Sequence, residues 1–253
     1  MTQPITAETL PGFLRERGVI GPEPARVTPT RFEGRDGLAV DAGGKSLDVW
    51  FGSPEAVAAE FRAIGLARPV VPDGNALAVF LFDPSAGVLA MERPAAGSRT
   101  WAELLAEGRA GTDIAAAAGG MLADIHNIGH RRPGVRAMLP VREGPRAVTM
   151  VQGNYGPRTL TVAAARLLPR DYRRAGWGDP SDDAADAVAG IAAAVGTGDP
   201  AGHVAAFWAG YNNRIDGPAV AADESAVVRG AARRLGRAVP EPATLGGLCS
   251  SLT

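Results

Sequence analysis

Val151-Gln152-Gly153-Asn154-Tyr155-Gly156-Pro157-Arg158-Thr159-Leu160 and Arg170-Asp171-Tyr172-Arg173-Arg174-Ala175-Gly176-Trp177-Gly178-Asp179-Pro180 are the two segments whose reading decides the fold of this chain. Apolar runs around Val148–Gln152 and Leu160–Val162 flank the first, and a third around Arg166–Leu168 leads into the second. Short apolar runs punctuated by glycine and proline read as extended segments. The two stretches between them carry most of the chemistry-bearing side chains: Gln152, Asn154, Tyr155 and Thr159 in one, Asp171 in the other.

Around these segments the chain reads as helical. Trp101–Glu107 is a short helix, and Asp113–Ile125 a longer one with Ala117, Met121, Leu122 and Ile125 as its buried stripe. Ser181–Val195, Pro200–Ile215 and Ser225–Val239 follow, and Pro240–Thr253, with a double glycine before Cys249, reads as an irregular tail. The first 93 residues differ. After a helix over Thr6–Arg17, Ala25–Phe51 alternates as three antiparallel strands turned at Gly34-Arg35-Asp36-Gly37 and at Gly43-Gly44. Ser53 as N-cap and Pro54 at the first position open a helix over Pro54–Ile64. Strands over Ala76–Phe82 and Gly87–Glu92 complete a five-stranded sheet with one inserted helix. The expected organisation is an α+β chain with a β-rich lobe over 1–93, a helical lobe over 94–239 and a tail over 240–253.

Composition narrows the function classes. A net charge of -1 and 6% aromatic residues give no basic or base-stacking surface, so neither nucleic acid nor an anionic membrane is expected as partner. No apolar run is long enough for a membrane span, and no basic-then-apolar leader opens the chain. Cys249 is the one cysteine, which fits a reducing cytoplasm. Lys45 is the one lysine among 26 basic residues.

The segments resemble the aminoglycoside phosphotransferase family of kinase-like proteins. Residues 151–160 resemble its catalytic loop, [VL]-H-G-D-[FL]-x-P-x-N-[IVL], and residues 170–180 its metal-binding loop, I-D-[FW]-E-x-A-G-x-G-D-P. Ala118–His126 is similar to a family helix ending L-A-x-[LI]-H, and Met91-Glu92-Arg93-Pro94 takes the place of the hinge between lobes. The resemblance implies a two-lobed protein-kinase-like fold with a small β-rich N-lobe and a larger helical C-lobe. It places Glu92 at a nucleotide and makes Glu60 the helix glutamate that pairs with a phosphate-holding lysine. The lysine position falls at Trp50 or at Lys45. Asp171 and Thr159 are the implied metal ligands; Asp171 reads alternatively as a turn aspartate.

The departures fall on functional positions. Asn154 stands where the family has its aspartate, Thr159 where it has asparagine and Gln152 where it has histidine. The aspartate accepts or orients the substrate proton and the asparagine holds a second magnesium. An amide has no basic oxygen at neutral pH, so Asn154 cannot be a general base. Arg173 replaces an acid with a base; it either receives an anionic group or pairs with Asp182 or Asp183. His126 at a helix end reads as a packing residue. The expectation is a pseudokinase or repurposed kinase fold, needing no cofactor beyond weak Mg-ATP, that binds a small molecule, a peptide or a protein partner in the interlobe cleft. Asn154, Gln152, Tyr155 and Asp171 would be the polar groups for any residual chemistry. An active ATP-dependent phosphotransferase acting on a small-molecule or peptide hydroxyl is the alternative.

Overall fold

In the computed structural model, which describes residues 5–72, 75–142, 146–164, 166–196 and 198–252, the alternating N-terminal stretch forms β1 (Arg26–Phe32), β2 (Arg35–Ala42) and β3 (Lys45–Phe51) as consecutive antiparallel hairpins. Both turns have two central residues with positive φ: Glu33 and Gly34 at 45° and 72°, Gly43 and Gly44 at 55° and 77°. That backbone matches the right-handed twist of the flanking strands. The first turn is therefore tighter than the sequence suggested, and Arg35 and Asp36 belong to β2. β4 (Val79–Asp83) and β5 (Val88–Glu92) complete a sheet of order β1-β2-β3-β5-β4.

Helix α1 (Leu10–Glu16) lays Leu10 and Leu14 on one face of this sheet, against Val40, Leu47, Val49, Val88 and Ala90. It begins later than Thr6, because Pro11 is favoured in the first turn and Thr6 bonds to Thr9 instead. Helix α2 (Pro54–Ala67) starts where expected, with the Ser53 hydroxyl accepting the Ala56 N–H at 3.2 Å. The Phe61 ring stacks on Phe82 of β4 at 4.1 Å. Met1–Phe61 and Leu77–Ser98 make one compact unit, and Arg62–Ala76 and Arg99–Thr253 a second.

After Arg62–Ala76, the second unit continues with β6 (Arg99–Thr100) and α3 (Trp101–Ala106), whose N-terminus carries a Thr100–Glu103 capping box. There follow α4 (Thr112–Arg131), a 3-10 turn over Pro133–Met138, and strands β7 (Thr149–Val151), β8 (Leu160–Ala163), β9 (Arg166–Pro169) and β10 (Gly176–Gly178). Helices α5 (Pro180–Val195), α6 (Ala201–Asn212), α7 (Glu224–Arg234) and α8 (Leu245–Ser250) complete it. Helices α4 and α6 cross at backbone contact. A Cβ on Gly119 would collide with the Phe207 carbonyl, and one on Gly210 with that of Ala116.

Four elements were missed: β6, the 3-10 turn over Pro133–Met138, β10 and α8. β10 is only Gly-Trp-Gly, too short for a periodic signal, and exists because it pairs with β7. The tail is not wholly irregular: Thr244 caps α8, which buries Leu245, Leu248 and Cys249. Its Leu-Gly-Gly-Leu sequence has poor helix propensity, and burial overrides it. Among the described residues no helix is long and apolar enough to cross a membrane.

Candidate functional site

The loop between β7 and β8 is fixed from beneath by Asp183, in the first turn of α5. Its wholly buried carboxylate accepts the backbone N–H groups of Gln152 and Gly153, each at 2.6 Å. His126 lies behind it, with Nε2 at 3.6 Å from Asp183 and Nδ1 sharing a proton with the Tyr211 hydroxyl at 2.8 Å. His126 is thus a packing residue inside α4, which runs on to Arg131 and does not end at Ile125 as the sequence suggested. Asp183 is the residue that sequence reading missed in this role. Aspartate early in a helix usually signals a cap, and only the tertiary fold brings two distant N–H groups to it.

Gln152 donates from its side chain to the Asp171 carbonyl at 2.6 Å, tying the two loops together from a fully buried position. Asn154 completes the tie, donating from Nδ2 to Asp171 Oδ2 at 2.9 Å. Asp171 itself is 3% exposed. It accepts Arg173 three more times: from the backbone N–H and Nε on Oδ1, at 3.1 and 3.0 Å, and from Nη2 on Oδ2 at 2.6 Å. Burial pushes the Asp171 carboxyl upward, but the Arg173 hydrogen bonds and charge, with the Asn154 amide, outweigh it and hold the group below its ordinary value. Arg173 therefore pairs with Asp171, two residues away, and not with Asp182 or Asp183.

Two candidate residues turn out to have other duties. The Thr159 hydroxyl, expected as a metal ligand, sits inside its own loop. It lies 3.0 and 3.1 Å from the carbonyls of Asn154 and Gly156 and accepts the Gly156 N–H at 3.2 Å. A hydroxyl has one proton and two lone pairs, and this turn uses the proton and one of the lone pairs. The Tyr155 hydroxyl, named for chemistry, is buried and donates to the Ala118 carbonyl of α4 at 2.7 Å; burial raises its pKa well above the usual phenol value. Tyr155 is a packing residue.

In the first unit Glu60 does pair with a cation, but with neither candidate. Arg35 Nη1 donates to both of its carboxylate oxygens, at 2.9 and 2.7 Å, in a pair with both side chains nearly out of solvent. The same guanidinium lies 5.1 Å from the centre of the Trp50 ring. Trp50 is buried against Gly37, where a Cβ would approach the indole to 2.5 Å. Lys45 is on the opposite face of β3, because strand side chains alternate and five residues separate it from Trp50. Its Nζ donates to the Val19 carbonyl at 2.6 Å, so it is not the partner of Glu60. Glu92 ends β5 with its N–H on the Ala78 carbonyl at 2.7 Å and its carboxylate on the Ala78 N–H at 3.2 Å.

Within the second unit Asp171 is paired with an arginine and Thr159 is held in its turn, so neither stands open to a metal. Among the described residues no group of three His, Cys, Asp or Glu side chains is placed to hold a metal.

The sequence matches no protein-family model and no curated protein. Solved structures do match. A spectinomycin phosphotransferase in complex with ADP and spectinomycin superposes with a TM-score of 0.60 at 10% identity, covering 99% of each chain. A choline/ethanolamine kinase family protein from Mesorhizobium loti gives 0.56 at 17% identity over 97% of this chain and 83% of the other. The choline kinase LicA from Streptococcus pneumoniae gives 0.51 at 12% identity over 96% and 99%. The fold is that of the aminoglycoside phosphotransferase and choline kinase class of kinase-like proteins, an α+β architecture with a β-rich N-terminal unit and a helical C-terminal one.

Proposed function

We propose that this chain is a pseudokinase or repurposed kinase fold that binds a small molecule, a peptide or a protein partner and does not transfer phosphate from ATP. The observation that carries this reading is the Arg173–Asp171 pair. In a phosphotransferase the metal-loop carboxylate must be open to magnesium, which bridges phosphate oxygens and neutralises developing charge. Here a guanidinium from the same loop already occupies both carboxylate oxygens, and Asn154, which has no basic oxygen, holds one of them as well. Arg35 on Glu60 is a second substitution of the same kind: the ion pair is kept, but the cation comes from β2 and is locked against Trp50. A spectinomycin-bound relative of this fold supports a setting in bacterial specialised metabolism, with an antibiotic-like compound or a peptide as ligand.

The test is ADP release and γ-phosphate transfer, measured with magnesium and with manganese against aminoglycosides, choline and a peptide library. The expected result is no turnover above background. Robust phosphorylation of any hydroxyl, abolished by Asp171→Ala, would overturn the reading.

A further inference from the structure

We propose that Arg132–Val141 of the second unit is a docking surface for an acidic segment of a partner protein that carries an apolar anchor; this goes beyond the reading above, since it uses neither Asp171 nor a nucleotide. Four large apolar side chains are exposed among the described residues. Two of them, Met138 at 47% and Val141 at 61%, fall in the single stretch Met138-Leu139-Pro140-Val141. The backbone beneath them is held. The 3-10 turn over Pro133–Met138 is anchored from inside by Val135 and, just past its end, by Leu139, both buried. Beyond it the chain is bonded to β10: the Trp177 N–H donates to the Pro140 carbonyl at 2.8 Å, and the Arg142 N–H to the Trp177 carbonyl at 2.9 Å. Val141, between those two bonds, is therefore kept in solvent by paired backbone. Together with Gly134, Arg136, Ala137 and Leu139 it lines an open depression of about 490 Å³. Clustered apolar side chains held in water on a fixed backbone mark an interaction surface.

Charge says what covers it. Residues 131–142 hold Arg131, Arg132, Arg136 and Arg142 and no acid, an excess that the net charge of -1 averages away. Arg131 is spent on Asp216, and Arg142 turns to the Arg174 carbonyl. The others remain. Arg136 lines the depression itself, and Arg132 opens the turn, its carbonyl accepting the Val135 N–H at 3.0 Å. Arg62 of α2, in the same unit, donates Nε to the Met138 carbonyl at 3.1 Å, which sets a further guanidinium beside Met138. All three arginines are exposed, and among the described residues no carboxylate pairs with any of them. An apolar centre with a cationic rim complements carboxylates that flank an apolar side chain. A polyanion without apolar groups would use the rim and leave Met138 and Val141 in water.

Selection of phage-displayed random peptides on the folded full chain tests this, with the enriched sequences remade as fluorescent peptides for anisotropy titration. Enriched sequences are expected to combine Asp or Glu with a large apolar residue, and their binding to weaken with salt. Val141→Ser is expected to weaken binding about tenfold, the loss of one apolar contact. Arg136→Glu sets like charges together and is expected to weaken it at least about tenfold. Arg233→Glu, on an exposed position at the end of α7, makes the same charge change elsewhere and is expected to leave affinity unchanged. All three side chains are exposed, so thermal unfolding should match wild type. No enrichment of acidic and apolar sequences, equal affinity for peptides whose apolar residue is replaced by serine, equal loss in Arg233→Glu, or wild-type affinity in Val141→Ser would each overturn the surface. Binding of phosphatidylserine vesicles or of duplex DNA that both Val141→Ser and Arg136→Glu weaken would also overturn it, giving the surface to a lipid or a nucleic acid. None of these readouts involves phosphoryl transfer, so failure here is distinguishable from failure of the proposed function.

Discussion

Arg173 holds Asp171 in a two-point ion pair, Nε on one carboxylate oxygen at 3.0 Å and Nη2 on the other at 2.6 Å, with the carboxylate almost wholly buried. A spacing of two residues allows this because the loop folds back, placing the Arg173 backbone N–H on the same carboxylate. The pair leaves neither carboxylate oxygen of Asp171 without a hydrogen bond.

Breaking the pair from the arginine side leaves a buried charge uncompensated. Arg173→Gln is expected to cost about 2 kcal/mol, below the ~3–5 of a fully buried pair because the arginine is a third exposed. The sign with pH follows from the depressed carboxyl. Its folded pKa lies below the unfolded value of about 3.9, so the pair contributes fully above that pH and is lost as pH falls through the folded pKa. Urea unfolding at pH 7 should show the deficit of the variant, and the deficit should shrink below about pH 4.

The Arg35–Glu60 pair is more deeply buried and should matter more. Arg35→Ala is expected to destabilise by about 3 kcal/mol or more, since it strands the Glu60 carboxylate and removes the cation from the Trp50 ring. Lys45→Ala, which removes a single bond to the Val19 carbonyl, should cost about 1 kcal/mol. A larger loss for Lys45→Ala than for Arg35→Ala in chemical denaturation would contradict this ranking.

Asp183 anchors the loop that carries Asn154. Asp183→Ala leaves two buried N–H groups unpaired and is expected to cost about 3 kcal/mol. Gly153→Ala meets both a positive φ and the Arg142 guanidinium, and is expected to cost at least about 2 kcal/mol. Hydrogen exchange should show residues 152–154 losing protection in both variants.

Introducing carboxylate, amide and lysine at these positions should not by itself confer chemistry. Asn154→Asp with Thr159→Asn supplies a carboxylate and an amide, and Trp50→Lys supplies a lysine. General-base catalysis is worth roughly a hundredfold to ten-thousandfold. The triple variant is nevertheless expected to stay silent in an ADP-release assay while Arg173 holds Asp171, and to gain turnover only when Arg173→Glu is added. Turnover in the triple variant with Arg173 intact would show that the pair opens readily.

The strand alternation of Ala25–Phe51, the Ser53–Pro54 start of α2 and the two motif-like loops are local signals, so the sequence alone determined the β-rich and helical parts and put an amide at Asn154. The partners of those residues were not legible there. Whether Glu60 meets Trp50, Lys45 or Arg35 depends on the face of β3 and on a hairpin that turns at Glu33-Gly34, earlier and more tightly than expected, and a one-residue change in turn placement moves every side chain across the sheet. Thr159 and Tyr155 are polar types that serve a metal or a turn equally well; only their burial and their bonds to nearby carbonyls separate the two. The tertiary structure also decided the fate of Asp171, because a carboxylate's function depends on which cation reaches it first, and Arg173 does so from two residues away.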